Sequence, residues 1–496
     1  MHNGATNFID GQWLTSVSGD TFPSVDPGNH ERVLGTYARS GSAEVKLAVE
    51  AASRAYRSWR ATPAPARGAL ISRMGEILAA NKEDLAHQIS REMGKVLIEA
   101  RGDVQEAIDM ARYIGAFGRM PDGYTVPSER QDVACFARRV PVGVVAMITP
   151  WNFPVAIPAW KMFPALVTGN TVVMKPSEES PGVAVAFVQM LTEAGIPRGV
   201  VNLLTGFGRE VGKELIESPH VSVVSFTGST ATGTQIMERC ATLGKRVSCE
   251  MGGKNGIIVL EDADLELAVK GAIWSAFGTT GQRCTAASRL IVHKAVIDSF
   301  TNRLLTAVQA LAVGQAGNDA VDIGPVINEG QVHRIHNYVQ RAIDAGAKLL
   351  CGGARPVGDA YSSGSFYEPT VLAGVTPDME IAQVEVFGPV TVIMKADSFE
   401  GAIDIANSTN YGLSLSVYTR SSSLAFRAIE LLDAGLTYIN LPTSGAEIQL
   451  PFGGTRKTGN GHREAGLHAA DYCTEWKASY INYSETSDLV RAQIDV

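Results

Sequence analysis

In the first third of the chain, apolar residues recur every three to four positions over two long stretches, residues 66–95 and residues 99–118. Such spacing lines up one face of a helix, so both stretches are predicted to be helical. Residues 119–141 break this pattern with Pro, Gly and short alternation, which predicts a protruding hairpin. The first stripe consists of Leu70, Met74, Ile77, Leu78, Leu85 and Ile89, and the second of Val104, Ala107, Ile108 and Ala111.

From residue 142 onward, short apolar runs rich in β-branched residues alternate with helical patterns. Strand–helix–strand repetition with Gly and Pro between the elements predicts a doubly wound parallel sheet, and therefore an α/β fold. A second α/β set begins near residues 252–253 and continues with strands to about residue 440. The runs of the first set cover residues 143–148, 171–174, 200–204, 221–226 and 246–249, with helices near 156–168, 182–194, 209–217 and 229–243. The second set has strands at 256–260 and 289–293, a helix from 264 and a helix over 295–313.

Composition and charge narrow the possible functions. At 496 residues the chain exceeds the size of a single core, so two or more domains are expected. The net charge of −8 and the lack of any long basic run argue against a nucleic-acid surface. No apolar stretch approaches the length of a membrane span, and the N-terminus lacks a signal-peptide pattern. The six cysteines are scattered, so we expect reduced thiols, no metal site and a cytoplasmic protein.

Two residues carry candidate chemistry. Cys284 follows a glycine-rich turn and precedes small residues, a context that brings a thiol near backbone N–H groups able to stabilise a thiolate or an oxyanion. Taken alone, however, a lone cysteine is more often a small buried apolar residue. Glu250 stands at the predicted carboxyl end of a strand, before two glycines. It is either a buried general base or a solvated residue in a turn.

Seven short blocks, in order along nearly the whole chain, resemble the signature segments of the aldehyde dehydrogenase superfamily. They are Thr149-Pro-Trp-Asn-Phe-Pro, Lys175-Pro-Ser-Glu, Phe226-Thr-Gly-Ser, Glu250-Met-Gly-Gly-Lys, Gly281-Gln-Arg-Cys, Glu385-Val-Phe-Gly-Pro and Pro451-Phe-Gly-Gly. One block would be weak evidence, but seven in the family's order exclude chance agreement. The resemblance implies oxidation of an aldehyde to the carboxylic acid with NAD(P)⁺.

The resemblance also implies catalytic roles. Cys284 would attack the aldehyde carbon, and the amide of Asn152 with the backbone N–H of Cys284 would stabilise the oxyanion. Loss of hydride would leave a thioester, which water activated by Glu250 would hydrolyse. Lys161 and Glu464 match family residues of a proposed proton relay, and a helix-surface lysine is the alternative for Lys161. Family members that transfer the acyl group to coenzyme A typically lack this glutamate, so Glu250 favours hydrolysis.

Two alternatives to this function stay open. The first is a CoA-acylating semialdehyde dehydrogenase, which would release a thioester of coenzyme A rather than a free acid. The second is a non-enzymatic structural protein on the same fold, which would be expected to have lost catalytic positions. Every catalytic position that we match to the family is intact, so both alternatives rank behind the oxidation of an aldehyde to the acid.

For the cofactor, the resemblance implies NAD, with NADP as the alternative. Two glycine-rich turns after predicted strands could bring backbone amides to a pyrophosphate. Lys175 and Glu178 resemble the pair that holds the adenine ribose, where a carboxylate would repel a 2′-phosphate. The candidate cofactor residues are Ile148, Thr149, Pro150, Trp151, Lys175, Ser177, Glu178, Gly208, Gly212, Phe226, Thr227, Gly228, Ser229, Thr232, Met251, Gly252, Glu385 and Phe387.

The residues that would meet the substrate partly resemble the α-aminoadipic semialdehyde (antiquitin-like) branch of the family. In that branch the equivalents of Glu106 and Arg283 face an amino-carboxylate tail, and the alternative for Arg283 is a residue at the surface or behind the substrate site. The segments that begin at Glu447 and Asn460 depart from the branch, so a broad-range or semialdehyde-oxidising enzyme is the alternative. The candidate substrate residues are Glu106, Phe153, Arg283, Ser444, Gly445, Ala446 and Phe452.

The resemblance also divides the chain into domains. Residues 1–118 and 142–252 would bind NAD(P), and residues 253–455 would form the catalytic domain. Residues 119–141 and 470–496 would form a small β element for oligomerisation, with a frayed C-terminal tail as the alternative. We therefore expect a homodimer or homotetramer that acts on a small aldehyde and binds neither nucleic acid nor membrane.

Overall fold

The protein is described by a computed structural model that covers residues 4–485. The strands, in chain order, are β1 Asn7–Ile9, β2 Gln12–Leu14, β3 Thr21–Asp26, β4 Asn29–Ala38, β5 Gly123–Val126, β6 Val133–Pro141, β7 Val144–Ile148, β8 Thr171–Lys175, β9 Val201–Leu203, β10 Val221–Thr227, β11 Arg246–Glu250, β12 Asn255–Val259, β13 Ala287–His293, β14 Lys348–Cys351, β15 Thr370–Ala373, β16 Val390–Ala396, β17 Tyr411–Gly412, β18 Ser414–Tyr418, β19 Leu436–Ile439, β20 Thr455–Arg456 and β21 Thr474–Asn482. The α-helices are α1 Ser42–Ala61, α2 Ala64–Ala80, α3 Lys82–Met93, α4 Leu97–Phe117, α5 Ala156–Thr168, α6 Pro181–Glu193, α7 Lys213–Glu217, α8 Thr230–Thr242, α9 Leu265–Phe277, α10 Ile297–Gln309, α11 Glu329–Asp344, α12 Glu380–Gln383, α13 Phe399–Asn407 and α14 Ser422–Leu431.

The first large sheet has seven strands in the order β11-β10-β7-β8-β9-β1-β2. Strands β7 to β11 run parallel, and β1 and β2 add antiparallel strands at one edge. Every residue of β7 and β8 is buried. Continuous apolar strands of this kind are typical of parallel sheets covered on both faces. The predicted parallel sheet and its intervening helices are thus confirmed.

The second large sheet also has seven strands, in the order β14-β15-β16-β13-β12-β18-β19. All neighbours are parallel except the edge pair β14 and β15. The chain passes from the first sheet to the second between Glu250, the last residue of β11, and Asn255, the first residue of β12. The sequence pattern placed the start of the second α/β set at this same point. Residues 251–254 connect the two sheets.

A small antiparallel sheet stands apart from both large sheets, with the strand order β21-β6-β5. Strands β5 and β6 form the hairpin predicted within residues 119–141, and β21 pairs with β6 along nine residues. The expected β element is therefore present. The predictions for residues 486–496 lie outside the described residues.

The helical stretch predicted over residues 66–95 is two helices rather than one. Helix α2 ends at Ala80, and Asn81 has non-helical backbone angles before α3 begins. Both helices pack on α4, so the apolar stripe continues across the break. The spacing of apolar residues in the sequence therefore does not reveal where α2 ends. The predicted helix over 295–313 ends earlier, at Gln309.

The four strands before residue 40 were not predicted. In β3 the buried positions are Phe22, Ser24 and Asp26, so two of three inward-facing residues are polar. Ser24 donates a hydrogen bond to the carboxylate of Glu92, and Asp26 accepts one from the backbone N–H of Gly28. Because these polar groups are satisfied inside the fold, the strand lacks the apolar alternation by which strands are recognised in a sequence.

Candidate active site

The cysteine singled out by the sequence lies at the junction of two cavities. It follows α9 through a tight turn, Gly278–Gly281, and precedes β13. The first cavity encloses about 1120 Å³ including its open mouth, and the second opens on the other side of Cys284. A group bound in either cavity can therefore approach the same sulfur atom.

The surroundings of Cys284 favour the protonated form of its thiol. Burial raises the pKa of this thiol, and the nearby carboxylates of Glu385 and Glu250 raise it further, against a smaller opposing effect from the backbone of Thr285. A thiol in such surroundings loses its proton only to a base or to a bound positive charge. Burial therefore opposes the stabilisation of a thiolate that the sequence context suggested.

Glu250 reaches the first cavity from the end of β11. Its side chain is buried, and neither carboxylate oxygen has a hydrogen-bond partner among residues 4–485. Burial raises the pKa of Glu250 well above the usual value, as does the neighbouring Glu464. A Cβ on residue 453 would lie 2.7 Å from Oε1 of Glu250, so the glycine there makes room for the carboxylate. A buried carboxyl with free oxygens can accept a proton near neutral pH.

Lys161 and Glu464 form a buried ion pair beside Glu250. Nζ of Lys161 donates to the carboxylate of Glu464 and to Oγ of Ser225, the latter at 3.0 Å. Lys161 is fully buried on α5, so the helix-surface alternative for this lysine is wrong. The structure therefore brings Glu250, Lys161 and Glu464 together, as a relay would require.

Asn152 lies buried on the loop between β7 and α5. Its Nδ2 donates a 3.0 Å hydrogen bond to the backbone carbonyl of Gln282, two residues before the cysteine. This bond fixes the amide against the nucleophile loop. The second hydrogen on Nδ2 has no acceptor among the described residues, so it can point to a developing negative charge.

The first cavity contains all the candidate substrate residues. Its walls combine apolar and aromatic side chains with five acidic residues and, among the described lining residues, one cationic group, Arg283. The acidic residues are Glu99, Asp103, Glu106, Glu250 and Glu464. Phe452 packs edge-on against Trp160 at 5.2 Å between ring centroids. The candidates that line the cavity are Glu106, Phe153, Arg283, Ser444, Gly445, Ala446 and Phe452.

Arg283 is held by neighbours of which the sequence analysis singled out only Ser444. Its Nη2 donates to the carboxylate of Glu99 at 2.9 Å, and its Nη1 donates to Oγ of Ser444 at 3.3 Å. The guanidinium also lies over the ring of Trp274, 4.8 Å from its centroid. The residue that pairs with Arg283 is Glu99 and not Glu106, the acid expected to face the same tail.

Glu106 is half-buried on α4 and faces the cavity. Its carboxylate accepts no hydrogen bond from the residues that the structure describes. Burial raises the pKa of Glu106 to about 7, and the charge of Asp103 adds to this shift. This carboxyl therefore has a pKa near neutrality and lines the first cavity.

The second cavity is built from candidate cofactor residues. Trp151 meets Phe387 edge-on at 5.6 Å, and Oε1 of Glu385 accepts a hydrogen bond from the backbone N–H of Gly253 at 3.1 Å. A Cβ on residue 252 would lie 2.3 Å from Oε2 of Glu385, so a larger residue would fill this narrow cleft. The candidates that line it are Pro150, Trp151, Thr227, Gly228, Ser229, Met251, Gly252, Glu385 and Phe387.

A third cavity lies at the carboxyl edge of the first sheet, near the start of α8. Nζ of Lys175 contacts the carboxylate of Glu178 at 2.7 Å beside this cavity. Ser229 caps α8 by accepting from the backbone N–H of Thr232. The candidates that line the cavity are Ile148, Glu178, Gly208, Gly212, Phe226 and Thr232.

Three candidate cofactor residues, Lys175, Thr149 and Ser177, line none of these three cavities. Thr149 is buried, and its hydroxyl has no partner among the described residues. Ser177 is buried in the turn after β8, where its hydroxyl accepts from the backbone N–H of Glu179. Thr149 directly precedes the cleft residues Pro150 and Trp151, so its free hydroxyl is available to a bound group, whereas Ser177 has a local structural role.

Comparison with known proteins identifies the family. Residues 13–479 match the aldehyde dehydrogenase family. The chain belongs to this family. This aldehyde dehydrogenase is 40% identical to the alpha-ketoglutaric semialdehyde dehydrogenase of Bacillus subtilis, over 97% of this chain and 98% of the relative. It is 37% identical to the NADP⁺ succinate-semialdehyde dehydrogenase of Escherichia coli, over 94% of this chain and 95% of the relative.

A solved structure agrees with the fold and the cofactor. Betaine aldehyde dehydrogenase from Staphylococcus aureus, in complex with NAD⁺, superposes with a TM-score of 0.95 at 32% identity, covering 100% of this chain and 97% of that chain. This aldehyde dehydrogenase is thus an NAD(P)-dependent enzyme that oxidises an aldehyde. The two curated relatives named here act on semialdehydes other than α-aminoadipic semialdehyde, so the comparisons do not single out the antiquitin-like branch.

Three further structural findings concern metal ions, membrane spans and disulfides. Within residues 4–485, no group of three or more His, Cys, Asp or Glu side chains could hold a metal ion. In the same part of the aldehyde dehydrogenase chain, no helix is both long and apolar enough to cross a membrane. All six cysteines are unpaired.

Proposed function

We propose that this aldehyde dehydrogenase oxidises a short semialdehyde that carries a carboxylate at its far end, producing a dicarboxylate and NADH. Arg283 carries the proposal, because it is the one cation among the described residues that line the substrate cavity. It adjoins Cys284 in the sequence, so an anion bound to its guanidinium lies close to the reacting sulfur. The two curated relatives named above are semialdehyde dehydrogenases, which supports this substrate class.

The donors of Arg283 suit a carboxylate. Three of its five N–H groups are used by Glu99, Ser444 and the hydroxyl of Thr279. Two N–H groups remain without an acceptor among the described residues, which is the number that a carboxylate can accept side by side. The indole of Trp274 covers one face of the guanidinium and keeps water from it.

The first chemical step is attack of Cys284 on the aldehyde carbon. A carbon–sulfur bond forms, the carbonyl π bond opens to give an oxyanion, and the thiol proton passes to solvent water in the open cavity. The free N–H of Asn152 and the backbone N–H of Cys284 stabilise this oxygen in a buried site, where such bonds are strongest. The result is a thiohemiacetal, poised to lose its hydride.

The cofactor cleft fits a nicotinamide dinucleotide. The partnerless buried hydroxyls of Thr149 and Thr227 and the narrow gap at Gly252 mark a place for a bound group, with Glu385 and Phe387 beside it. When bound, the nicotinamide supplies the hydride acceptor for this oxidation. Lys175 and Glu178 would hold the adenine ribose, and the carboxylate of Glu178 favours NAD over NADP.

Release of the acid requires a base. After hydride loss the acyl group is held on Cys284 as a thioester, and Glu250 removes a proton from the water that attacks it. The new carbon–oxygen bond forms, the carbon–sulfur bond breaks, and Cys284 leaves as a thiolate. Lys161 and Glu464 can pass this proton away from the cavity, since their side chains touch each other beside Glu250. Because Glu250 is present and buried, water is favoured over coenzyme A as the acyl acceptor.

The test compares two aldehydes of equal length. Wild-type enzyme with NAD⁺ is expected to prefer 4-oxobutanoate to butanal in kcat/KM. In Arg283→Met, kcat/KM for 4-oxobutanoate should fall about 10- to 100-fold, as expected for losing a charge-assisted hydrogen bond, while butanal changes little. Equal preference in the wild type, or equal losses for both aldehydes, would reject carboxylate recognition. Parallel assays with NADP⁺ and with coenzyme A test the cofactor and the acyl acceptor.

Domain roles, assembly and location complete the proposal. We assign cofactor binding to residues 1–118 and 142–252 and catalysis to residues 253–455, with residues 119–141 and 470–496 joining subunits. The three-stranded sheet leaves Tyr124, Trp476 and Tyr480 exposed, which supports assembly into a homodimer or homotetramer through this sheet. A cytoplasmic location would keep the six thiols reduced.

A further inference from the structure

Glu99 lies in the first turn of α4 and is buried, with its side chain 3% exposed. Both of its carboxylate oxygens lie 2.9 Å from the backbone nitrogen of Thr279, and Oε2 also accepts the Thr279 hydroxyl at 3.1 Å. Oε1 accepts Nη2 of Arg283. The carboxylate of Glu99, on α4, therefore accepts hydrogen bonds from two residues of the loop that carries Cys284.

The first of these residues lies in a strained turn. Thr279 and Thr280 have φ values of 52° and 58°, in the left-handed region that β-branched residues rarely adopt. Gly281 continues the left-handed turn, and a Cβ there would lie 2.1 Å from the carbonyl of Gly388. Nothing intrinsic to two threonines favours this backbone, so contacts from outside the loop must hold it.

The second of these residues is Arg283. Its Nε donates to the hydroxyl of Thr279 at 2.9 Å, and that hydroxyl itself donates to Glu99. Glu99 therefore holds the guanidinium directly through Nη2 and indirectly through Thr279. Without Glu99, two of the three polar contacts that orient Arg283 are lost or loosened, and only the contact with Ser444 stays unchanged.

We propose that Glu99 is a positioning residue that fixes the Cys284 loop at two points, the left-handed turn at Thr279 and the side chain of Arg283. Through the turn it places the nucleophile for every aldehyde. Through Arg283 it aligns the two free N–H groups for a carboxylate. The second effect rests on the proposed function, and the first does not.

The hydrogen-bond pattern shows which property of Glu99 matters. A glutamine could keep an oxygen for the Thr279 N–H and for Arg283, and its amide N–H could donate to the Thr279 hydroxyl, which can accept. Glu99→Gln therefore keeps the hydrogen-bonded contacts, although it reverses the bond to the Thr279 hydroxyl and removes the charge beside Arg283, whereas Glu99→Ala removes the contacts as well as the charge. A role in positioning predicts that glutamine largely rescues activity.

The first experiment measures kcat and KM of the NAD⁺-supplied enzyme for butanal and 4-oxobutanoate. In Glu99→Ala, kcat for both aldehydes should fall at least about tenfold, because a displaced nucleophile is costly. KM should rise for 4-oxobutanoate but much less for butanal. Glu99→Gln should stay within about threefold of wild type for both. Glu76→Ala, which removes an exposed ion pair between α2 and α4, is the matched control.

A second variant separates the two effects of Glu99. Glycine adopts the left-handed region without strain, so adding Thr279→Gly to Glu99→Ala lets the turn form unaided. We expect kcat for butanal to recover in this double variant. KM for 4-oxobutanoate should stay high, because Arg283 still lacks both Glu99 and the Thr279 hydroxyl.

Different results would contradict the role of Glu99, its effect on the turn, or the proposed function. Unchanged kcat and KM in Glu99→Ala would overturn it. A loss of kcat that Thr279→Gly does not restore, in a protein that still binds NAD⁺ and melts like Glu76→Ala, would overturn the role at the turn. If wild type does not prefer 4-oxobutanoate and Arg283→Met changes nothing, the proposed function fails, while the butanal measurements still test the turn.

Discussion

Glu250 shows how a single residue obtains a catalytic property from its surroundings. Its carboxylate lies at the end of a strand, where a parallel sheet presents side chains to a bound ligand. Burial and the neighbouring Glu464 disfavour the charged form, while Lys161 and Arg463 act in the opposite direction. The balance favours the protonated form of this carboxyl far more than in a solvated glutamate in a turn.

Replacing this carboxylate should slow one step only. In Glu250→Gln we expect a normal first burst of NADH followed by deacylation slowed roughly 10²–10⁴-fold, the usual contribution of a general base. In wild type the deacylation rate should rise with pH as Glu250 loses its proton, and this rise should vanish in the variant. Stopped-flow measurement of NADH gives both phases. Loss of the burst itself would move Glu250 to an earlier step.

Glu106 should make aldehyde preference depend on pH. Its pKa is raised to about 7 by burial and by Asp103, so the carboxyl is neutral below this pH and negative above it. An ionised Glu106 repels a carboxylate substrate. The ratio of kcat/KM for 4-oxobutanoate to that for butanal should therefore fall about tenfold from pH 6 to pH 8, an estimate for charges about 10 Å apart at the cavity wall.

The ratio cancels the ionisation of Cys284, which affects both aldehydes alike. Glu106→Gln is the control, since it should show a ratio independent of pH. A wild-type ratio that rises with pH would instead mean that the ionised carboxylate attracts the substrate, as an aldehyde with an amino group would require.

Sequence reading found the residues whose surroundings are local and missed those whose partners are distant. Cys284, Glu250 and Asn152 lie within short blocks that resemble a family, so each could be named without a structure. The ion pair of Glu99 with Arg283 joins positions 184 residues apart. No local pattern marks Glu99, which in the sequence is one acid among several on an amphipathic helix.

At the scale of elements, a buried ion pair supports the wall of the substrate cavity. Lys95 and Asp103 are both fully buried, with Nζ 3.1 Å from Oδ2. The other oxygen of Asp103 accepts the backbone N–H of Ala156 at the start of α5, and Nζ of Lys95 lies 3.7 Å from the ring centroid of Phe153. The pair therefore connects α4 to the loop and helix that carry Asn152 and Lys161.

Removing one partner of this pair should destabilise the protein. Asp103→Asn leaves the charge of Lys95 buried without a counterion, a change that costs about 3–5 kcal/mol. The exposed pair of Lys270 with Glu266 gives the contrast, since Glu266→Gln should change the free energy of unfolding by less than about 0.5 kcal/mol. Denaturant unfolding of both variants at one protein concentration measures the difference. Equal stability of the two variants would contradict the assignment.

A helix or strand could be predicted from the sequence where its buried positions form a regular apolar pattern. Strands β7 and β8 are apolar throughout, and their positions follow directly from the sequence. In β3 a buried serine and a buried aspartate interrupt the pattern, and only their partners in the fold explain why they are tolerated. The break between α2 and α3 at Asn81 could not be predicted, because the apolar stripe continues across it without a gap.

At the scale of the whole molecule, two sheets meet at one sulfur atom. The carboxyl end of β11 supplies Glu250, and the loop before β13 in the other sheet supplies Cys284. The chain between residues 440 and 470 then returns to the first sheet, where Phe452 and Glu464 complete the cavity. Such convergence of distant segments could be inferred from the sequence only through resemblance to a family.

Assembly through the three-stranded sheet gives the last prediction. Trp476 and Tyr480 are separated by an even number of positions in β21, so their side chains lie on the same face of the sheet. On that face the ring of Trp476 contacts the ring of Tyr124, with 5.4 Å between the ring centroids. Tyr480 is 74% exposed, and aromatic residues exposed together on a sheet mark a surface for association. Because β21 is also an edge strand among the described residues, its backbone is open to pairing with another chain.

A charge placed on this face should weaken assembly. Tyr480→Asp is expected to shift the sedimentation coefficient at micromolar concentration to that of a smaller species, because an ionised carboxylate cannot be buried unpaired in an interface. Val357→Asp, at a position 97% exposed elsewhere on the surface, should leave the coefficient unchanged. The cavity residues lie on other elements, so monomeric Tyr480→Asp should retain NAD⁺ binding. An unchanged coefficient for Tyr480→Asp would assign assembly to a different surface.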